Sequence, residues 1–198
     1  MNLQGGEIFL QSDNNFSEVR IKYDDRNAVE LLSKSISSAL KKDTLIICIG
    51  TDKCIGDCLG PLVGTMLIKS SFPLPVIGTL ENPAHAINLG NIINEINIKY
   101  PKHHIIAVDA CLGYRDYIGE IQIKNGPVRP GRGVGKSLPK VGDISIVGVT
   151  DSLDDPTILT LRNIRLNFII NMAETITKSI LYALNLSSKK DNLWLKID

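Results

Sequence analysis

Residues 44–61 read TLIICIGTDKCIGDCLGP, and this stretch decides the fold. Its first part, Thr44 to Gly50, is a continuous run of β-favouring apolar residues without the alternation of a half-exposed strand. Runs of that kind belong to strands covered on both faces, as in parallel sheets. The rest is short, polar and glycine-containing, and it closes on Gly60-Pro61. Proline is well placed in the first turn of a helix, where its missing N–H had no intrahelical partner. The stretch therefore reads as strand, loop and helix, the opening of a βαβ unit.

The same alternation recurs on both sides. Residues 27–40 set Ala28, Leu32, Ile36 and Ala39/Leu40 at helical spacing, and residues 61–70 extend the helix that Pro61 enters. Residues 75–79 fit a short strand. Leu89, Ile92/Ile93, Ile96 and Tyr100 predict a helix over 87–100. HIIAVD at 104–109 is a second strand of the doubly covered type, residues 118–124 alternate like an edge or half-exposed strand, and DISIVGV at 143–149 is a further strand. The clearest helix carries Ile169, Met172/Ala173, Ile176, Ile180 and Ala183/Leu184 on one face, with Asn167, Asn171, Glu174 and Lys178 on the other. Residues 1–25 read as a polar N-terminal segment, and residues 126–142 as an irregular loop rich in Gly, Pro, Lys and Arg. Strands alternating with helices predict one α/β domain over 1–198: three αβα layers around a mostly parallel, doubly wound sheet with right-handed crossovers.

Composition narrows the function. With 198 residues, 43% of them hydrophobic, the chain can fill a core, which excludes wholesale disorder. A net charge of +1 gives no field to attract nucleic acid or an anionic membrane. Aromatics at 5% offer no stacking platform for single strands. Cys48, Cys54, Cys58 and Cys111 form no C-x-x-C pair, so they read as reduced, mostly buried thiols rather than as a zinc site. No secretory signal pattern and no apolar run of ~18 residues is present, which predicts a soluble cytoplasmic protein.

In a doubly wound sheet, ligands bind beyond the carboxyl ends of the strands where the strand order reverses. If the 44–50 and 104–109 strands are neighbours, that crevice lies between residues 51–60 and 109–116, and each segment supplies an aspartate, Asp57 and Asp109. Asp57 also suits an N-cap, and Asp109 a hydrogen bond to a loop amide. Two carboxylates at one crevice can divide acid and base roles, because close carboxylates do not both ionise easily. Glu81 and His85, in the loop after the short strand, are candidates to contact a substrate, whereas His103 and His104 open a strand at its far end. The loop RPGRGVGKS at 129–137 ends like a phosphate-binding loop, but residue 130 is proline where the opening glycine belongs. Its Gly131, Gly133 and Gly135 fit better as backbone that could hold an extended peptide or simply wrap the site. No G-x-S-x-G elbow occurs, and neither Cys58 nor Cys111 has an evident histidine partner, so both read as structural.

The order of these motifs resembles the bacterial spore germination protease family. There a glycine lies seven residues before an aspartate in D-A-L-G-P, matched here by Gly50, Asp57, Leu59, Gly60 and Pro61, with Cys58 in place of alanine. Val108-Asp109-Ala110 resembles that family's I-D-A-L, and 130–136 resembles its P-G-S-G-V-G-N loop. The short length is similar to the YyaC-type family of small spore proteases. The Gly50, Asp57 and Gly60 spacing is also similar to the hydrogenase maturation endopeptidases, which implies their α/β sandwich, a phosphorylase/hydrolase-like fold. The resemblance implies a sporulation-associated peptidase of the cytoplasm or forespore, with Asp57 and Asp109 as acid/base pair and small acid-soluble spore proteins as substrates. It departs where Arg129 and Lys136 replace the histidine and asparagine flanking the glycine loop. The maturation endopeptidases' nickel-recognising histidine has no match, so no metal or other cofactor is implied. A second reading is a non-catalytic binding or regulatory protein that keeps the protease fold.

Overall fold

The computed structural model describes residues 7–9, 18–131, 138–152 and 164–191. One sheet runs through seven strands: β1 (Glu7–Phe9), β2 (Glu18–Lys22), β3 (Thr44–Cys48), β4 (Val76–Ile77), β5 (His104–Gly113), β6 (Glu120–Asn125) and β7 (Ile144–Ser152). Their spatial order is β1-β2-β6-β7-β5-β3-β4. β4, β3, β5 and β7 pair in parallel, while β6, β2 and β1 add in antiparallel fashion. The sheet is thus mostly parallel in direction, with an antiparallel flank that the expected doubly wound pattern did not include.

Helices α1 (Ala28–Ala39), α2 (Leu59–Lys69) and α4 (Leu166–Asp191) cover one face, and α3 (Leu89–Lys99) lies on the other. The division follows from the pleat of β3. Ile46 and Cys48 join Leu32, Val63 and Ile176 in one core cluster, whereas Leu45, Ile47 and Ile49 join Leu89 and Ile96 in the second. Because β3 is covered twice, all five of its residues are buried, as its unbroken apolar run requires. From β3 the chain passes through α2 outward to β4, then returns through α3 to β5 on the other side of β3. That reversal sets α2 and α3 on opposite faces and makes the β3–β5 boundary the topological switch point.

Three expectations need correction. The 118–124 strand is not at an edge, because β6 lies between β2 and β7. Residues 1–25 are not merely a polar segment. β2 sits within them, and Val19 and Ile21, each 3% exposed, pair with Ile123 and Ile121 of β6. Asp109 does not end its strand, since β5 continues to Gly113 against β7, with a register shift after Cys111. In the irregular 126–142 region, Val128 bridges Val141, and both are buried in the α3-side cluster. No helix among the described residues is long and apolar enough to cross a membrane.

Candidate active site at the strand switch point

The site begins with Gly50, which ends the β3 run at φ 140°, a backbone geometry that favours glycine. A Cβ there would lie 2.0 Å from the Asp57 carbonyl oxygen, because the 51–57 loop folds back over Gly50. The loop is closed by hydrogen bonds from Thr51 N–H to Asp57 O (3.1 Å) and from Asp57 N–H to Cys54 O (3.0 Å). Asp57 then falls in a 3₁₀ turn, Gly56–Cys58, that packs over β5 and β7. The residue at the N-cap of α2 is Cys58, whose side chain makes no capping hydrogen bond. Asp57 is therefore not the N-cap, and its carboxylate is left for another role.

Asp109 comes from inside β5. Its neighbours Val108 and Ala110 pack against the α1/α2/α4 side, so strand alternation turns its own side chain to the α3 side with Ala107. It is 9% exposed, and Oδ1 accepts the Ala110 N–H at 2.9 Å. Burial raises its carboxyl well above the usual carboxylate range, and the charge of Asp57 raises it further. Burial also raises Asp57, but the Thr51 backbone N–H and nearby His85 draw it back. The charge of Asp57 thus acts on Asp109 across the switch point, and Asp109 is the carboxyl pushed further toward its protonated form. With Oδ1 accepting from Ala110, a proton on this carboxyl would sit on Oδ2.

His85 reaches the site by a route the sequence pattern does not display. After β4, the chain leaves the sheet edge at Gly78 and returns at Ala84, which bridges Ile49 in parallel and accepts the Gly50 N–H at 2.8 Å. His85 follows directly. Asn88 fixes this corner: its Oδ1 accepts the His85 N–H (2.8 Å), and its amide donates to Pro83 O (3.0 Å). The His85 Nδ1 accepts the Ile87 N–H at 3.2 Å, so in the neutral ring the proton sits on Nε2. Asn88 and Thr51 escaped the sequence reading. Asn88 has the type and position of a helix cap, and nothing in the chain signals that it braces a loop instead.

Glu81 is exposed and shares with His85 an open groove of about 480 Å³ between β4 and the start of α3, whose lining includes neither aspartate. Gly131 stands at a turn with φ 78°, past the Val128 bridge. Gly133 and Gly135 lie outside the described residues. His104 is remote from the site, 3.3 Å through Nδ1 from Asp143. The cysteines are free: Cys48 and Cys58 are buried and Cys111 is half-buried, while Cys54 is the exposed exception to the expectation that most are hidden. Burial pushes Cys111 up to about 11, and Cys58 is also raised by burial. Protonated thiols are poor nucleophiles. Among the described residues, no three His, Cys, Asp or Glu side chains converge to hold a metal ion.

Residues 20–179 match the family described as "Protein of unknown function (DUF1256)". The chain is 42% identical over 151 residues to the "Uncharacterized protein YyaC" of Bacillus subtilis (strain 168), which spans 76% of this chain and 74% of that protein. No solved structure matches it. None of these names carries an activity, but the extent of the match is enough to place the chain, which belongs to the DUF1256 family.

Proposed function

We propose that this protein is a sporulation-associated peptidase of the cytoplasm or forespore in which Asp57 and Asp109 act as an acid/base pair on proteins such as the small acid-soluble spore proteins. The observation that carries this reading is the pairing at the strand switch point of a half-exposed aspartate with a deeply buried one, whose carboxyl burial pushes well above the usual carboxylate range. The resemblance of the motif order to that of the germination proteases suggests the substrate class, and a phosphorylase/hydrolase-like architecture belongs to the same reading.

Asp57, the better solvated, takes a proton from a water whose oxygen attacks the scissile carbonyl carbon. Asp109 gives its proton to the carbonyl oxygen as negative charge develops there. When the tetrahedral species collapses, a hydroxyl proton returns to Asp109. The C–N bond breaks, and Asp57 passes its proton to the departing amine. Each carboxyl ends in its starting state. His85, near Asp57, favours its ionised form.

The test is cleavage of a panel of sporulation-stage proteins by wild type and by Asp57→Asn, Asp109→Asn and the double variant. Members of one catalytic unit are non-additive, so each single variant should lose nearly as much activity as the double. Wild-type protein that cleaves nothing in the panel, yet binds a component as tightly as Asp109→Asn does, would make the protein a binder instead.

A further inference from the structure

We propose that the groove beside β4 receives an extended polypeptide, which adds to the sheet edge as a further strand and sets a lysine or arginine side chain against Glu81. β4 is the last strand on its side of the sheet. Ile46 donates to Pro75 O at 2.9 Å, and its register partner is Val76. In a parallel ladder this means that residues 75 and 77 face β3 while the N–H and C=O of Val76 point outward. An outward N–H and C=O on one residue is the minimal hook for strand addition.

The groove supplies what side chains of such a strand need. Val76, Ile77 and Ile92 give half-buried apolar wall, while Glu81, His85 and Asn88 give polar wall. Glu81 has no ion-pair partner among the described residues. It is the groove's one acidic side chain, and no lysine or arginine lines the groove, so a cationic side chain is the complementary visitor. His85 connects the groove to the chemistry, since it lines the groove and lies near enough to Asp57 to draw that carboxyl down. This deepens the peptidase reading by naming the substrate's form and a preferred side chain, although the binding itself requires no turnover.

The probes are two pools of end-blocked decapeptides, randomised except for a fixed central lysine in one and a fixed central glutamate in the other. They are titrated into full-length ¹⁵N-labelled wild type and into Asp109→Asn, where cleavage cannot deplete them. The lysine pool should bind about tenfold more tightly and shift the amides of Val76, Gly78, Glu81 and His85. Glu81→Lys should invert the preference. Val76→Pro, which deletes the outward N–H and spares the bonds to β3, should weaken both pools. Should that variant not fold, slowed exchange of the Val76 amide in wild type saturated with the lysine pool gives the same information. Equal affinity for the two pools, shifts outside the groove, or a preference unmoved by Glu81→Lys would overturn the proposal. Lysine-pool binding without cleavage of any spore protein would sink the peptidase and leave the groove standing.

Discussion

Replacing Gly60 by alanine adds one methyl group and should strike both stability and the site. A Cβ at Gly60 would lie 2.1 Å from the Ile49 carbonyl oxygen and within 3 Å of the Ile49 nitrogen and carbonyl carbon. All three fall short of ordinary van der Waals contact at 3.4 Å, and the contact with the carbonyl oxygen does so by more than 1 Å. The obstacle is backbone at the end of β3, so no side chain can rotate away. α2 must retreat, and it carries Leu59, Val63 and Leu67, all fully buried. Overpacking of this kind costs typically 1–3 kcal/mol, and alanine's better helix propensity returns at most about 1 kcal/mol. A net loss of about 1–2 kcal/mol corresponds to a melting point lower by roughly 2–8 °C in a chain of this size. The displacement begins three residues from Asp57, so any activity should fall further than the stability change explains. Gly90, at the start of α3, has nothing within 4 Å of its would-be Cβ, and the same substitution there should be neutral or stabilising by up to about 1 kcal/mol. Urea unfolding of the two variants beside wild type measures both. If Gly60→Ala melts like wild type, or Gly90→Ala loses as much as Gly60→Ala, the close packing of α2 on β3 is wrong.

Two further outcomes follow from the titrating groups. The folded-state pKa of Asp109 is raised, so the native chain holds a proton there that the unfolded chain releases. Stability from this group is complete below its unfolded value near 4 and is lost as pH rises through the raised one. Asp109→Asn should therefore gain stability relative to wild type between pH 4 and 8. A constant difference across urea melts over that range would contradict it. Alkylation at pH 8 followed by mass spectrometry should modify Cys54 first, because it is exposed, while Cys48, Cys58 and Cys111 react on unfolding. Equal labelling of all four in native protein would refute the burial assigned to them.

What the chain order discloses is unequal across the molecule. β3 and β5 are legible because strands buried on both faces need unbroken apolar runs, and α4 because a long helix on a core repeats its period many times. β2 is not, since it shows only Val19 and Ile21 between Glu18, Arg20 and Lys22, and its partner is remote in sequence. Asp57 is ambiguous because capping depends on whether α2 starts at residue 59 or earlier, a difference too small for periodicity to resolve. His85 was a candidate on position alone. Its arrival rests on the single Ile49–Ala84 pairing, which leaves no pattern in the chain. The tight approaches are invisible for a similar reason: a Cβ on Gly64 would lie 1.9 Å from Gly78 O, a meeting of two distant residues.

The antiparallel flank has a consequence for how the protein emerges from the ribosome. β2 is made early, yet its hydrogen-bonding partner opposite Ile21 is Ile121. Translation at about 5–20 residues per second leaves Val19 and Ile21 without that partner for roughly 5–20 s. α1, made next, waits longer still, because it packs against α4 near the other end of the chain. The β3–β5 portion of the sheet, with the aspartate pair at its switch point, can assemble first, and the N-terminal strands dock onto it only after β6 has been synthesised.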